Sequence, residues 1–329
     1  MNPLIYGNCD VLSQLHQMMR RDRMPHGVLF YGESGLGKKI FSRYVAASLL
    51  CNGDTEEPCG SCKSCRMIQK NKHPDFQVVE HSGKLGGFSV ETVRQICTDL
   101  IVPPNEGQSK CYLFGDCDAM DARSQNILLK AIEEPPDNIY FFFTAQSPTA
   151  LLPTIRSRIV SLPVSPLRES VCMEALTNQW GYSPEEAQEA MMVFHGNLGK
   201  CVEFLENDEI RETVALTKSA IYSIINRDEY GLLLSTAKAA GSRAQAKLFL
   251  TLLDRTIRDA ATKRVDTRTN GIGCDEKGAF LLSQRLPLTC TRTMHLAVDK
   301  TLTAMEANVN LTLAFSALSA DLMDASSVG

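Results

Sequence analysis

The stretch Gly32-Glu33-Ser34-Gly35-Leu36-Gly37-Lys38-Lys39 constrains the fold more than any other part of this chain. It follows the pattern G-x-x-x-x-G-K-[ST] as far as the lysine. In that pattern the glycines let backbone N–H groups close around phosphate oxygens, the lysine neutralises the outer phosphates, and the final hydroxyl ligates Mg²⁺. Lys39 stands where the hydroxyl belongs. An ammonium has no lone pair to give a cation, and it repels one. The flanks agree with a phosphate loop. Gly27-Val28-Leu29-Phe30-Tyr31 predicts a buried strand entering it, and Ile40, Phe41, Val45, Ala46 and Leu49 recur at helical spacing behind it. Strand, loop and helix in that order aim backbone amides at one anion. An α/β P-loop domain is expected, with Gly32, Gly35, Gly37, Lys38 and Lys39 lining a nucleotide site that does not turn over Mg-ATP.

With 329 residues the chain has room for two or three domains. No run of 18 or more apolar residues suggests a membrane span. Met1-Asn2-Pro3-Leu4-Ile5-Tyr6 lacks a basic segment followed by an apolar core, so secretion is not expected and a cytoplasmic location is. A net charge of −4 is not the footprint of a free-standing DNA binder; any contact with nucleic acid would come through a local patch or a complex.

Twelve cysteines without a signal peptide read as thiols or metal ligands rather than disulfides. Cys51, Cys59, Cys62 and Cys65 form a C-x7-C-x2-C-x2-C array with Gly53, Pro58 and Gly60 at its turns. Four soft ligands suit tetrahedral Zn²⁺, and a set with no open position suits a structural ion; four unliganded thiols are the alternative. His73 and His81 are surplus to that set, and the other eight cysteines read as core or surface residues. Lys63, Arg66, Lys70 and Lys72 predict the solvated face of a helix.

Phe76–Val79 predicts a second strand and Val90–Ile101 a helix. In a working P-loop ATPase, the strand corresponding to Lys110–Phe114 ends in an Asp that holds Mg²⁺, and in many families a Glu follows. Gly115 and Asp116 occupy those places. A register shifted by one makes Asp116 the metal carboxylate and puts Cys117 where the base belongs. Either way one part is missing. Asp121–Pro136 predicts a helix stopped by a proline pair, Ile139–Thr144 a central parallel strand covered on both faces, and Leu151–Ile159 the approach to a last strand.

Asn126-Ile127-Leu128-Leu129-Lys130-Ala131-Ile132-Glu133-Glu134-Pro135-Pro136, followed by Pro153-Thr154-Ile155-Arg156-Ser157-Arg158, resembles the bacterial DNA polymerase III clamp-loader subunits of the AAA+ superfamily. The four-cysteine insert and His73-Pro74-Asp75 follow the same order, and the resemblance is strong to about residue 205. Within that family it looks like the delta-prime type, whose nucleotide motifs are often decayed, rather than the gamma/tau ATPases. The resemblance implies a Ser-Arg-Cys motif whose arginine reaches a neighbour's γ-phosphate. Arg158 matches it, with Ile159 in place of the cysteine and Arg156 as a candidate in support. Read from the residues alone, Arg158 is a surface ion-pair partner. Thr144 falls at the sensor-1 place and Lys200, in Gly196-Asn197-Leu198-Gly199-Lys200, at the sensor-2 place.

The resemblance further implies partners: gamma/tau and delta subunits in a ring, the sliding clamp, and primed DNA through the complex. It implies ATP or ADP held without hydrolysis, and polymerase membership without intrinsic ATPase activity. An active gamma/tau-like ATPase is the alternative reading. The organisation expected is an AAA+ nucleotide-binding-like domain over 1–165 with its zinc module at 51–65, a helical lid over 166–207, and an all-helical collar over 208–329. Leu162–Leu167 reads as the linker closing the first domain, Ser183-Pro184-Glu185-Glu186 as a helix start, and Val214–Ile225, Ala246–Ile257 and Met294–Leu322 as helical, with breaks at Asn270–Gly273 and Pro287.

Overall fold

The computed structural model describes residues 5–20, 23–53, 57–82, 87–269, 271–307 and 309–327. Met1–Leu4, part of the N-terminal reading, and Asn270 lie outside them. The chain forms two compact units, Met1–Val171 and Cys172–Gly329.

The first unit runs α1 (Cys9–Arg20), β1 (Gly27–Tyr31), α2 (Lys38–Leu50), α3 (Lys63–Gln69), β2 (Phe76–Val79), α4 (Val90–Asp99), β3 (Lys110–Phe114), α5 (Ala122–Glu133), β4 (Ile139–Ala145), α6 (Pro153–Arg156) and β5 (Val160–Pro163). The strands pair in parallel in the order β2-β3-β4-β1-β5. Side chains alternate across a strand, and the continuously apolar β4 uses both faces. Phe141 and Phe143 join Tyr112, Phe114, Val93 and Leu128 on the side of α4 and α5. Phe142 joins Val28, Phe30, Phe41 and Val45 on the side of α1 and α2.

Three boundaries differ from those expected. Helix α4 ends at Asp99, with Leu100 as its cap, and Ile101 is 84% exposed; Pro103 and Pro104 follow, and proline disfavours helix in the residue before it. Helix α3 ends at Gln69, so Lys70 caps it and Lys72 lies beyond. Leu162 and Pro163 belong to β5 rather than to a linker. Pro163 is tolerated there because β5 is an edge strand and Pro163 its last residue.

The helices continue as α7 (Glu169–Asn178), α8 (Pro184–Phe194), α9 (Leu198–Glu206), α10 (Asp208–Asn226), α11 (Glu229–Ala239), α12 (Arg243–Val265), α13 (Glu276–Arg285), α14 (Leu288–Glu306) and α15 (Leu311–Ser327). Ser183 starts α8 with a complete capping box to Glu186. The stretch Met294–Leu322 is two helices, because α14 ends at Glu306 and α15 starts at Leu311. Inside the second unit, Asp259 is buried and accepts the backbone N–H groups of Ile272 and Gly273, which docks the Gly271–Gly273 loop. Among the described residues no helix is long and apolar enough to cross a membrane.

Candidate functional site

Strands β1, β3 and β4 end side by side, and their carboxyl ends carry the phosphate loop and its surroundings. Gly32 has φ 146° and donates to the carbonyl of Ala145 at 3.1 Å. A Cβ there would stand 2.3 Å from the carbonyl oxygen of Val164, so only glycine fits. Gly35 (φ 91°) and Gly37 (φ 85°) share the left-handed region, and Gly37 starts α2. Buried Lys38 donates through Nζ to the loop's own carbonyls at Gly32 and Glu33, both at 2.7 Å.

Lys39 reaches across to the end of β3, where its Nζ lies 2.5 Å from Asp116 Oδ2. Asp116 has a left-handed backbone, and its N–H donates to the fully buried Thr144 hydroxyl at 2.9 Å. The loop residues, Asp116 and Thr144 are therefore brought together. Lys200 stands in the other unit, in the first turn of α9, where its N–H approaches the Asn197 side chain at 3.3 Å. Cys117 is buried, its thiol donates to the Phe114 carbonyl, and burial pushes its pKa far up. A thiol in that state does not serve as a base. Asp118 accepts the N–H of Gln146 at 2.9 Å. Neither register of the second motif offers an oxygen pair for a metal: Gly115 has no side chain, and Asp116 already holds an ammonium.

The four cysteine sulfurs lie within 4.8 Å of one another, and those of Cys51 and Cys62 are 4.0 Å apart. Ligands at the usual Zn–S distance of about 2.3 Å stand about 3.8 Å apart around a tetrahedron, so the cluster fits the ion. Backbone N–H groups of Gly53, Cys62 and Cys65 point at Cys51, Cys59 and Cys62 sulfurs at 3.3–3.4 Å. The N–H groups of Cys62 and Ser61 pull the Cys59 thiol down to about 6. Neither His73 nor His81 joins the cluster: His73 Nδ1 accepts the N–H of Asp75, and His81 Nε2 donates to the Gly115 carbonyl. Lys63 pairs with Glu106 at 2.8 Å.

Arg158 sits between α6 and β5. Its Nη2 lies 2.8 Å from Glu133 Oε1, and its Nη1 donates to the Thr154 carbonyl at 2.8 Å and the Ser157 hydroxyl at 3.1 Å. Val160 pairs with Val28, so Arg158 flanks the amino ends of the strands. Six residue steps along β1 and its flanks separate that level from Gly32, about 20 Å along the sheet. Arg156 Nε is buried without a hydrogen-bond partner.

Three further residues have structural roles that their local sequence does not signal. Asp75 is buried and accepts the N–H groups of Asn105, Glu106 and Gly107 at 2.6–2.8 Å. Gln125 accepts from Leu152 N–H and donates to Met120 and Ala150 carbonyls, which ties α5 to the entry of α6. Glu133 lay within the stretch that carried the resemblance, and only the fold shows that it meets Arg158.

Comparisons with known proteins agree with this geometry. The family described as DNA polymerase III, delta subunit, matches residues 7–168. The delta-prime subunit of DNA polymerase III from Bacillus subtilis is 31% identical over 62% of this chain and 61% of its own length. The delta-prime subunit from Pseudomonas aeruginosa is 28% identical over 64% of this chain and 65% of that protein. A tau/gamma subunit from Haemophilus influenzae is 27% identical over 66% of this chain and 30% of its own length. The chain thus spans under two thirds of the length of each of these relatives. By its sheet, its loop and residues 7–168, the chain is similar to the DNA polymerase III clamp-loader subunits, and among them to those of the delta-prime type.

Proposed function

We propose that this chain is the delta-prime subunit of a DNA polymerase III clamp loader. It joins a ring with gamma/tau and delta subunits and helps place the sliding clamp on primed DNA. Its nucleotide site holds ATP or ADP without hydrolysis, and its contribution to the reaction is Arg158, offered to the site of a neighbouring subunit. The observation that carries this reading is the place of Arg158, about 20 Å along the sheet from the chain's own loop. A guanidinium so placed cannot serve the loop of its own subunit. It can neutralise charge developing on a phosphoryl group held next door. The three-part organisation, with a lid over 166–207 and a collar over 208–329, belongs to the same proposal. Tyr230 and Leu313, 76% and 69% exposed, are available to a collar contact.

The test is the ATPase rate of the reconstituted loader with wild-type chain or Arg158→Ala, the chain alone serving as blank. The expected result is an inactive blank, normal assembly, and turnover at the neighbouring site reduced on the order of 10³-fold. Magnesium-dependent turnover by the isolated chain would establish the gamma/tau-like alternative instead. Normal assembly with unchanged turnover would reduce Arg158 to a surface ion pair.

Cys51, Cys59, Cys62 and Cys65 would hold a structural Zn²⁺ that fixes the insert between α2 and α3. One zinc per chain is expected by elemental analysis. Cys65→Ser should lose it and lower the melting temperature of the first unit, since metal affinity in such sites is folding free energy. A variant that keeps its metal and its stability would remove the zinc assignment.

A further inference from the structure

In a magnesium-using loop the ion sits between the hydroxyl that follows the loop lysine and the carboxylate at the end of the third strand. Here those two places hold Lys39 and Gly115, and they meet. The Lys39 Nζ lies on Asp116 Oδ2 at 2.5 Å. A Cβ on residue 115 would stand 2.7 Å from Lys39 Cε and 3.3 Å from its Nζ. The metal-binding carboxylate would have to grow from the space that the end of the Lys39 side chain fills, and would have to push it off Asp116. On its other side Gly115 is held by His81, which donates to its carbonyl at 2.7 Å. The Asp116 main chain is held by Thr144, so neither residue is free to shift out of the way.

We propose that Lys39 is a built-in cation standing in for Mg²⁺, that Gly115 is the gap its side chain requires, and that the pocket therefore takes the phosphate groups of a nucleotide without a divalent metal. The two departures from the motif form one unit, because each makes room for the other. A triphosphate entering the loop meets two ammoniums, Lys38 and Lys39, in place of one ammonium and one metal. Lys38 exchanges the carbonyls of Gly32 and Glu33 for phosphate oxygens, and Lys39 shares its charge between Asp116 and the phosphates. Both side chains are long and donate up to three hydrogen bonds, as that exchange needs. The inference rests on the nucleotide-site part of the proposed function and is independent of clamp loading.

Two measurements on the isolated full chain test it. The first is a thermal double-mutant cycle between residues 39 and 115. Gly115→Ala should lower the melting temperature by about 1–3 °C when Lys39 is present, because the end of Lys39 must swing off Asp116, and should have no measurable effect in a Lys39→Ala background. Equal losses in both backgrounds would overturn the coupling. The second is the ATP-induced rise in melting temperature, compared in Mg²⁺ and in EDTA. The wild type should show the same rise in both, and Lys38→Ala should abolish it. Lys39→Thr/Gly115→Asp should show a rise that depends on Mg²⁺. A wild-type rise that needs Mg²⁺ would overturn the metal substitution, and no rise in either buffer would overturn the phosphate-binding half. If Lys39→Thr/Gly115→Asp does not fold, the alanine cycle and the wild-type comparison in Mg²⁺ and EDTA still decide the proposal. Failure to assemble with partner subunits would count against the clamp-loader reading and leave these results as they stand.

Discussion

The two edges of the parallel sheet hold their charges in different ways. At the carboxyl edge Lys39 meets Asp116, and at the amino edge Arg158 meets Glu133. Both pairs are half exposed, with side-chain exposures of 45% and 54% for the first and 40% and 38% for the second. Exposed pairs of this kind are worth about 0–1 kcal/mol, so strength does not separate them. What separates them is what each cation fills. The end of the Lys39 side chain occupies the space a side chain at 115 would need. Arg158 rests on a carboxylate, a carbonyl and a hydroxyl, all of which a phosphate can displace. One cation is therefore part of its pocket, and the other is stored at a surface.

The largest effect that could break this contrast comes from Arg158→Lys. Lysine keeps the charge but loses the planar fork that grips two oxygens at once. If the arginine acts on a transferring phosphoryl group, the reconstituted loader should lose nearly as much turnover as with Arg158→Ala, on the order of 10²–10³-fold at the neighbouring site. A lysine variant with wild-type turnover would mean that charge alone matters at that edge.

Much of this layout could be read along the chain. The loop, its flanking strand and helix, the apolar β4 and the capped start of α8 all depend on residues within a few positions of each other. The cysteine cluster likewise lies within fifteen positions, and the fold gathers it as its spacing predicted. The pairings that give the site its character could not be read. Lys39 and Asp116 are separated by 77 positions, and they meet only because β1 and β3 both flank β4. Gly115 looked like a lost carboxylate, and its second meaning, as space for Lys39, needs coordinates. Asp75 follows a proline in a stretch that resembles the family, yet its work on residues 105–107 depends on how the chain returns into β3. The error at Ile101 has a local cause: apolar spacing continued past the point where the prolines stop the helix.

Gln125 joins the framework to the amino edge, since its amide spans α5 and the entry of α6 with three hydrogen bonds and is nearly fully buried. Gln125→Ala leaves Leu152 N–H and two carbonyls without that partner, and should cost about 2–4 kcal/mol in denaturant unfolding of the first unit. If Arg158 depends on α6 for its aim, the reconstituted complex should also lose turnover at temperatures where the variant remains folded. Loss of stability with full turnover would show that the stored arginine is indifferent to its support.

Asp75 gives a smaller effect with a defined pH dependence. Burial alone would raise its pKa, but the N–H groups of Asn105, Glu106 and Gly107 outweigh that and hold it below the ordinary carboxylate range. A depressed folded-state pKa contributes stability that is present above the unfolded value and is lost as pH falls through the folded one. Asp75→Asn should therefore cost about 1–3 kcal/mol near pH 7, and the gap from wild type should narrow below about pH 4. A gap that stays constant down to the acid transition would mean that the loop is held by shape rather than by charge.

The smallest effect is the most direct test of storage. Glu133→Gln keeps an acceptor beside Arg158 and removes the charge. The pair is exposed, so folding stability should change by less than about 0.5 kcal/mol. A carboxylate that retains the arginine competes with the phosphate for it. Removing that charge should raise turnover of the reconstituted loader about two-fold at low salt, about 0.4 kcal/mol in the barrier. The gain should shrink as ionic strength rises, because salt screens the retained pair in the wild type as well. A fall in turnover at every salt concentration would assign Glu133 the opposite part: it would aim the guanidinium rather than hold it back, and the amino edge would then be as fixed as the carboxyl edge.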